Sequence, residues 1–267
     1  MNNSNRVIQQ SRNLPFPQML SSLAIIAWGI LLLKYAITGE YRLLIHPNYF
    51  YLMVITSILL LIIGVAKVKQ LITNPVSNTD NEQHLTVFPP GVGSSLLLLA
   101  ALAGLFIPPT VLTSQTALQR GVTETLPPTR DRPQSFVNQT KPEERSLIDW
   151  IRTLNAYPEP DAYAGQTAKI TGFVIHVPEL PNNYLLLSRF ILTCCAVDAY
   201  PVFIPVELPQ NSKQYSADTW LEIEGKMITN TLKIRDRSDT PQEKRRLVLK
   251  AENVKTIPTP KNPYSYR

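Results

Sequence analysis

Long uncharged stretches fill the front of the chain and are missing from its second half. No charged residue falls between Arg12 and Lys34, and Leu20–Leu33 is almost wholly apolar. Tyr49–Ala66 is a second such run, rich in Ile and Leu. Leu85–Gln119 is a third, with its apolar centre at Val92–Leu112. Each approaches the roughly 20 residues that cross ~30 Å of hydrocarbon as a helix. The strict alternation of a membrane β-strand is absent, so helices are the form that satisfies every backbone donor in lipid. The pattern predicts a transmembrane domain over residues 1–112 with spans at about 16–36, 47–66 and 92–112. Pro15 and Pro17 must then lie before the first span or in its first turn, and Lys34 must snorkel at its end. The first run lacks a small-x-small cleavage site, which favours an uncleaved anchor over a signal peptide.

Residues 113–142 change character. Pro127, Pro128, Pro133 and Pro142 stand among Thr, Ser and Gln, the composition of an extended linker. A helix signal follows. Thr140 with Glu143 resembles a capping box, Leu147, Ile151 and Leu154 recur at helical spacing, and Pro158 ends the pattern. From Gly165 onward the period becomes that of strands: Ala168–Val177, Tyr184–Cys195, Tyr200–Glu207, Trp220–Ile228, Thr231–Ile234 and Leu247–Val254. One helix followed by several short strands predicts a mainly β soluble domain over 143–267. A small OB-like Greek-key barrel is the first expectation and a β-sandwich the second. Gly172 and Gly225 interrupt strand patterns where a corner or bulge would use them.

Charge follows the same division. Only six of the 26 Lys and Arg and three of the 20 acids lie in residues 1–112, so each part carries half of the net +6. That even split argues against a nucleic-acid partner, which would concentrate the excess on one face. The cluster Lys233, Arg235, Arg237, Lys244, Arg245 and Arg246 is interleaved with acids and reads as a solvated strand–turn–strand; the alternative is a phosphate or headgroup patch. Arg6, Arg12, Lys67 and Lys69 flank one side of the predicted spans, and Lys34 and Arg42 the other. The asymmetry predicts a multi-pass protein of the cell membrane, with a cytoplasmic N-terminus and an extracytoplasmic C-terminal domain. Small residues around the third span, from Gly91 to Gly104, suit close packing on a partner protein or on the other two helices.

The chain has two cysteines, Cys194 and Cys195, and they are adjacent. Successive side chains on a strand point to opposite faces, so both thiols reach one ion only where the chain turns. The readings are small buried apolar residues, a soft-metal or metalloid ligand pair, or a redox pair. His176 approaches them if its strand pairs with theirs, giving a metal set of Cys194, Cys195 and His176. Arg189, inside an apolar run, calls for a partner, and Asp198 is the nearest: an ion pair across a turn, or an anionic-ligand site. No phosphate-cradling glycine loop, nucleophile elbow or HExxH occurs, so no enzyme activity is expected.

Short N-terminal spans, a polar tether, the run SRFILTCCAVDAYPV, the Trp220–Gly225 strand and the terminal NPYSYR together resemble the YcgQ-like family of bacterial membrane proteins. The specific part is Arg189–Pro201, where Arg189, Phe190, Cys194, Cys195, Asp198 and Ala199 match the family pattern and Val197 replaces an expected Ala. The resemblance implies an accessory subunit of a larger multi-span permease, surrounded by membrane lipid, with Arg189, Phe190 and Asp198 as candidates for binding a partner or solute. No cofactor is expected beyond a possible soft metal or metalloid. Two alternatives stand beside it: a membrane-tethered thiol or metal-handling protein using Cys194 and Cys195, and a module that binds envelope components.

Overall fold

Helices come first and strands second. The computed structural model describes residues 16–73, 91–125, 141–235 and 242–266. They divide into two units, Met1–Pro109 and Thr110–Arg267.

In the first unit, α1 (Phe16–Thr38) packs against α2 (Phe50–Thr73) and α3 (Val92–Phe106). Two helical stretches, Gln18–Thr38 and Pro47–Thr73, are long and apolar enough to cross a membrane on length and composition. The third is shorter than the expected 92–112. With 15 residues, α3 spans about 23 Å at 1.5 Å per residue. It stops at Phe106 because Pro108 holds Ile107 in an extended conformation, at φ −102° and ψ 106°. Lys34 Nζ donates to the Leu105 carbonyl at 2.9 Å and lies 3.8 Å from Glu40. Ala101 is fully buried, and the Gly104 carbonyl accepts from the Tyr35 hydroxyl at 3.0 Å. The small-residue face of α3 therefore lies on α1 of the same chain.

The second unit begins at Thr110, inside the predicted third span, and its first helix lies in the stretch read as linker. Ser114–Arg120 forms α4, N-capped by Thr113. Ala117, Val122 and Thr123 are buried, so this stretch is packed rather than extended. Thr123 makes a parallel bridge with Val202. The Pro-rich part, 126–140, lies outside the described residues. Helix α5 (Leu147–Ala156) is capped by Ser146, with Asp149 completing the box. Thr140 of the expected Thr140–Glu143 box lies outside the described residues, and Glu143 sits in a 3-10 turn, Pro142–Glu144, ahead of the helix. The true cap immediately precedes Leu147, the first apolar residue of the buried face, so the orphan amides are satisfied where packing begins.

Six strands follow: β1 (Thr167–Ile175), β2 (Tyr184–Leu192), β3 (Tyr200–Glu207), β4 (Trp220–Ile234), β5 (Gln242–Ile257) and β6 (Ser265–Tyr266). The mixed sheet runs β1-β4-β5-β3-β2-β6, and β1 also pairs with β2, so five strands close on themselves. The β3–β5 and β2–β6 pairs are parallel and the others antiparallel. The two runs expected at 220–228 and 231–234 are one strand. β4 pairs with β1 through Trp220–Lys226 and with β5 along its whole length. A register shift at Glu224/Gly225 marks the bulge that lets it bend. Trp150 and Ile151 of α5 pack with Leu185, Leu187, Ile191, Val202, Ile204, Ile223, Met227 and Leu249 in the core.

Candidate functional site

Strand β2 ends at Leu192, three residues before the run of apolar sequence does. The cause is Asp198. Its carboxylate accepts the backbone N–H groups of Cys194 at 2.8 Å, Thr193 at 3.3 Å and Cys195 at 3.3 Å. Three successive amides bound to one side chain have no need of a neighbouring strand, so the chain leaves the sheet and turns. The Asp198 N–H closes the turn on the Cys195 carbonyl at 3.1 Å.

That turn removes the obstacle that a strand would impose on adjacent cysteines. The two sulphurs lie 3.6 Å apart. Cys194 Sγ, Cys195 Sγ and an Asp198 oxygen all lie within 4.8 Å of one another. Both thiols are free; Cys194 is exposed and Cys195 half-buried. Hydrogen bonding to Asp198, then to Cys195, pushes the Cys194 thiol up to about 11. Partial burial pulls the Asp198 carboxyl up, but hydrogen bonds from the Cys194 thiol and from the three amides outweigh it and hold the group below the usual carboxylate range. The loop therefore sets a protonated thiol near a carboxylate, with a second sulphur beside it. The carboxylate's hold is complete above its ordinary range of ~3.9 and fades as pH falls through the depressed value.

Of the sequence candidates, the structure brings together Cys194, Cys195 and Asp198 and leaves the others out of this cluster. His176 is not a neighbour of the thiols: its Nε2 donates to the Tyr215 carbonyl at 2.8 Å. Phe190 is buried in the core, stacked on Phe173 at 5.5 Å and edge-on to Tyr264 at 6.2 Å. The expected Arg189–Asp198 ion pair does not form. Arg189 donates to the carbonyls of Asn262 at 2.7 Å and Pro263 at 3.4 Å, with its guanidinium 5.8 Å from the Trp220 ring centre. Burial pulls its pKa down, opposed by Tyr266. Arg189 thus holds the C-terminal segment whose β6 lies along Ile191 and Leu192. Arg189→Met is expected to cost about 1.5–3 kcal/mol, the range for hydrogen bonds to a charged group. Amide exchange at 262–266 should rise in the variant before the rest of the domain opens; equal protection in both proteins would refute that role.

Val197 occupies the tip of the turn and is 85% exposed, so its side chain leaves the donor atoms undisturbed. Among the basic cluster, Arg245 pairs with Asp161 at 2.6 Å, Arg246 with Glu124 and Arg235 with Glu179 at 3.5 Å. These charges are engaged within the domain, which weakens the phosphate-patch reading.

Sequence reasoning missed one residue at the loop. Arg120, the last residue of α4, donates through Nη1 to the carbonyls of Ala196 at 3.0 Å and Ala199 at 2.6 Å. It stood in a stretch read as tether. The one available signal was Thr113, an N-cap three positions before Thr116.

An apolar helical unit, with two helices long and apolar enough to cross a membrane, is followed by a small closed-sheet domain with an exposed two-thiol turn, which defines a two-domain protein. The DUF1980 N-terminal domain matches residues 20–123 and the DUF1980 C-terminal domain residues 137–267. The chain belongs to the DUF1980 family. No curated protein and no solved structure matches it.

Proposed function

We propose that this chain is a membrane-anchored protein that binds a soft cation or metalloid through Cys194 and Cys195, with Asp198 as third donor. The convergence of two sulphurs and one carboxylate oxygen within 4.8 Å at an exposed turn carries the reading. Thiolates are the donors that select soft ions, and a three-ligand set leaves a coordination position open for exchange. An exposed, open site suits capture and release better than storage.

The role of accessory subunit to a multi-span permease is compatible with this and has its own support. Leu52, Ile55, Leu59 and Ile62 of α2 and Leu96 and Leu99 of α3 are exposed apolar side chains, surface that lipid or a membrane partner would cover. On this reading α1, α2 and the shorter α3 all cross the membrane, an odd number of spans that sets the two ends of the chain on opposite sides. The excess of Lys and Arg around Arg6, Arg12, Lys67 and Lys69 keeps the N-terminus cytoplasmic and the β domain outside. The ring order, with β3 and β5 as its parallel pair, supports an OB-like barrel.

Titration of the reduced, detergent-solubilised full chain with Cd²⁺ tests the proposal. One equivalent should bind with a thiolate charge-transfer band, and Cys194→Ser/Cys195→Ser should abolish it. Because both thiols must lose their protons, affinity should rise at least tenfold per pH unit below the Cys194 pKa of about 11. Equal binding by the double variant, or none by the reduced native chain, overturns the reading.

A further inference from the structure

The two sulphurs lie side by side only because the turn of residues 193–199 keeps its shape. Two groups hold that shape from opposite sides. Asp198 gathers the amides on the inside of the turn. Arg120 binds two carbonyls, Ala196 and Ala199, that bracket Val197 and Asp198. Arg120 arrives from α4, whose own N-terminus is fixed in the same unit: Thr113 accepts the Thr116 N–H, and Asp218 accepts the Ser114 N–H. Asp218 adopts a left-handed backbone, φ 68°, to do so. After α4, Thr123 exchanges backbone hydrogen bonds with Pro201 and Phe203, at 3.3 and 3.2 Å, just beyond the turn. The stretch 113–123 is thereby pinned on both sides of Arg120, and the guanidinium has little freedom to leave.

We propose that Arg120 is the positioning residue of the thiol turn, holding its backbone in the conformation that keeps the Cys194 and Cys195 sulphurs side by side and within reach of Asp198. This rests on the ion-binding reading for its purpose but not for its test. Arg120 falls within the match to the family's N-terminal domain, whereas the thiols fall within the match to its C-terminal domain. The ion site therefore uses both parts of the chain. A ligand that fixes the turn and a constraint that fixes α4 must reinforce one another, since coupling between two sites is reciprocal.

The experiment uses the reduced full-length protein in detergent with both cysteines present, for native Arg120, Arg120→Gln and Arg120→Lys. At one fixed pH each is treated with a short dibromide whose two carbons each form an S–C bond as bromide and the thiol proton leave, so that it bridges sulphurs held side by side. Loss of the clasp lets the turn open and the sulphurs part. Bridging, relative to alkylation at a single sulphur, should fall at least threefold in Arg120→Gln. Arg120→Lys, which keeps a charged donor for one carbonyl, should lie between. In parallel, Cd²⁺ binding should weaken at least tenfold in Arg120→Gln. Thermal unfolding of each variant identifies simple misfolding, and the Lys variant then carries the comparison. Unchanged bridging in both variants overturns the positioning role, whether or not Cd²⁺ binds. Reduced bridging in a chain that never binds Cd²⁺ supports the positioning role and sinks the ion-binding reading alone.

Discussion

Asp198→Asn should make Cys194 react about tenfold faster with a neutral alkylating agent at pH 7.5. The carboxylate is the first cause of the raised thiol pKa, about 11 against an ordinary 9.0. Asparagine keeps an oxygen that can accept amide hydrogens from the turn but removes the negative charge that opposes a thiolate. If the pKa returns to its ordinary value, the thiolate fraction at neutral pH rises about a hundredfold. Nucleophilicity falls with pKa at a Brønsted slope of about 0.4–0.5, which returns roughly a factor of ten. Mass spectrometry of the Cys195→Ser protein over time reads the rate. An unchanged rate would mean that Asp198 does not control the thiol. The sign of the linkage is also fixed. The thiol–carboxylate hydrogen bond contributes fully at pH values below the thiol's unfolded pKa. It is lost as pH rises through about 11.

Gly225→Ala is expected to cost about 3 kcal/mol or more, at the upper end of overpacking effects. A Cβ placed there would stand 2.0 Å from the carbonyl oxygen of Lys250 and 2.9 Å from its carbon. Both atoms are backbone of the paired strand, so no rotamer change relieves the clash. The register shift would have to move, and with it the bend of the β4–β5 pair. Urea unfolding followed by the fluorescence of Trp150 and Trp220 measures the loss. Val197→Ala, at the solvent-exposed tip of the thiol turn, serves as control and should stay within about 0.5 kcal/mol of native. Near-native stability of Gly225→Ala would show that the bulge accommodates a side chain.

These two residues illustrate different degrees of legibility. Gly225 stands out in the chain because glycine inside a β-branched, alternating run has few other uses. Asp198 also stood out, as the acid nearest an arginine in an apolar run, but its partner was misread. Opposite charges nine positions apart invite pairing; the fold instead gives each a set of backbone groups. The carbonyls that take Arg189 belong to residues 73 and 74 positions away. The Trp150 helix was found from its period, yet its cap was misplaced, because Thr140–Glu143 and Ser146–Asp149 offer the same spacing and only the start of the buried face separates them. The third apolar run was overextended at its C-terminal end, since composition continues through Pro108 and Pro109 while helical hydrogen bonding cannot.

Local chemistry was enough to separate an oily helical front from a strand-rich back, to place the strand runs near their positions and to single out the adjacent cysteines. Those features depend on side chains a few residues apart and on whether backbone groups can be satisfied within one segment. Ring closure through β1–β2, the parallel β3–β5 pair and the clasp of Arg120 on carbonyls 76 and 79 residues away depend on which distant segments meet. No local period encodes that, because the backbone hydrogen bonds that stabilise such meetings are indifferent to side-chain identity. The same physics turned two neighbouring thiols, which a strand would set on opposite faces, toward one point in space.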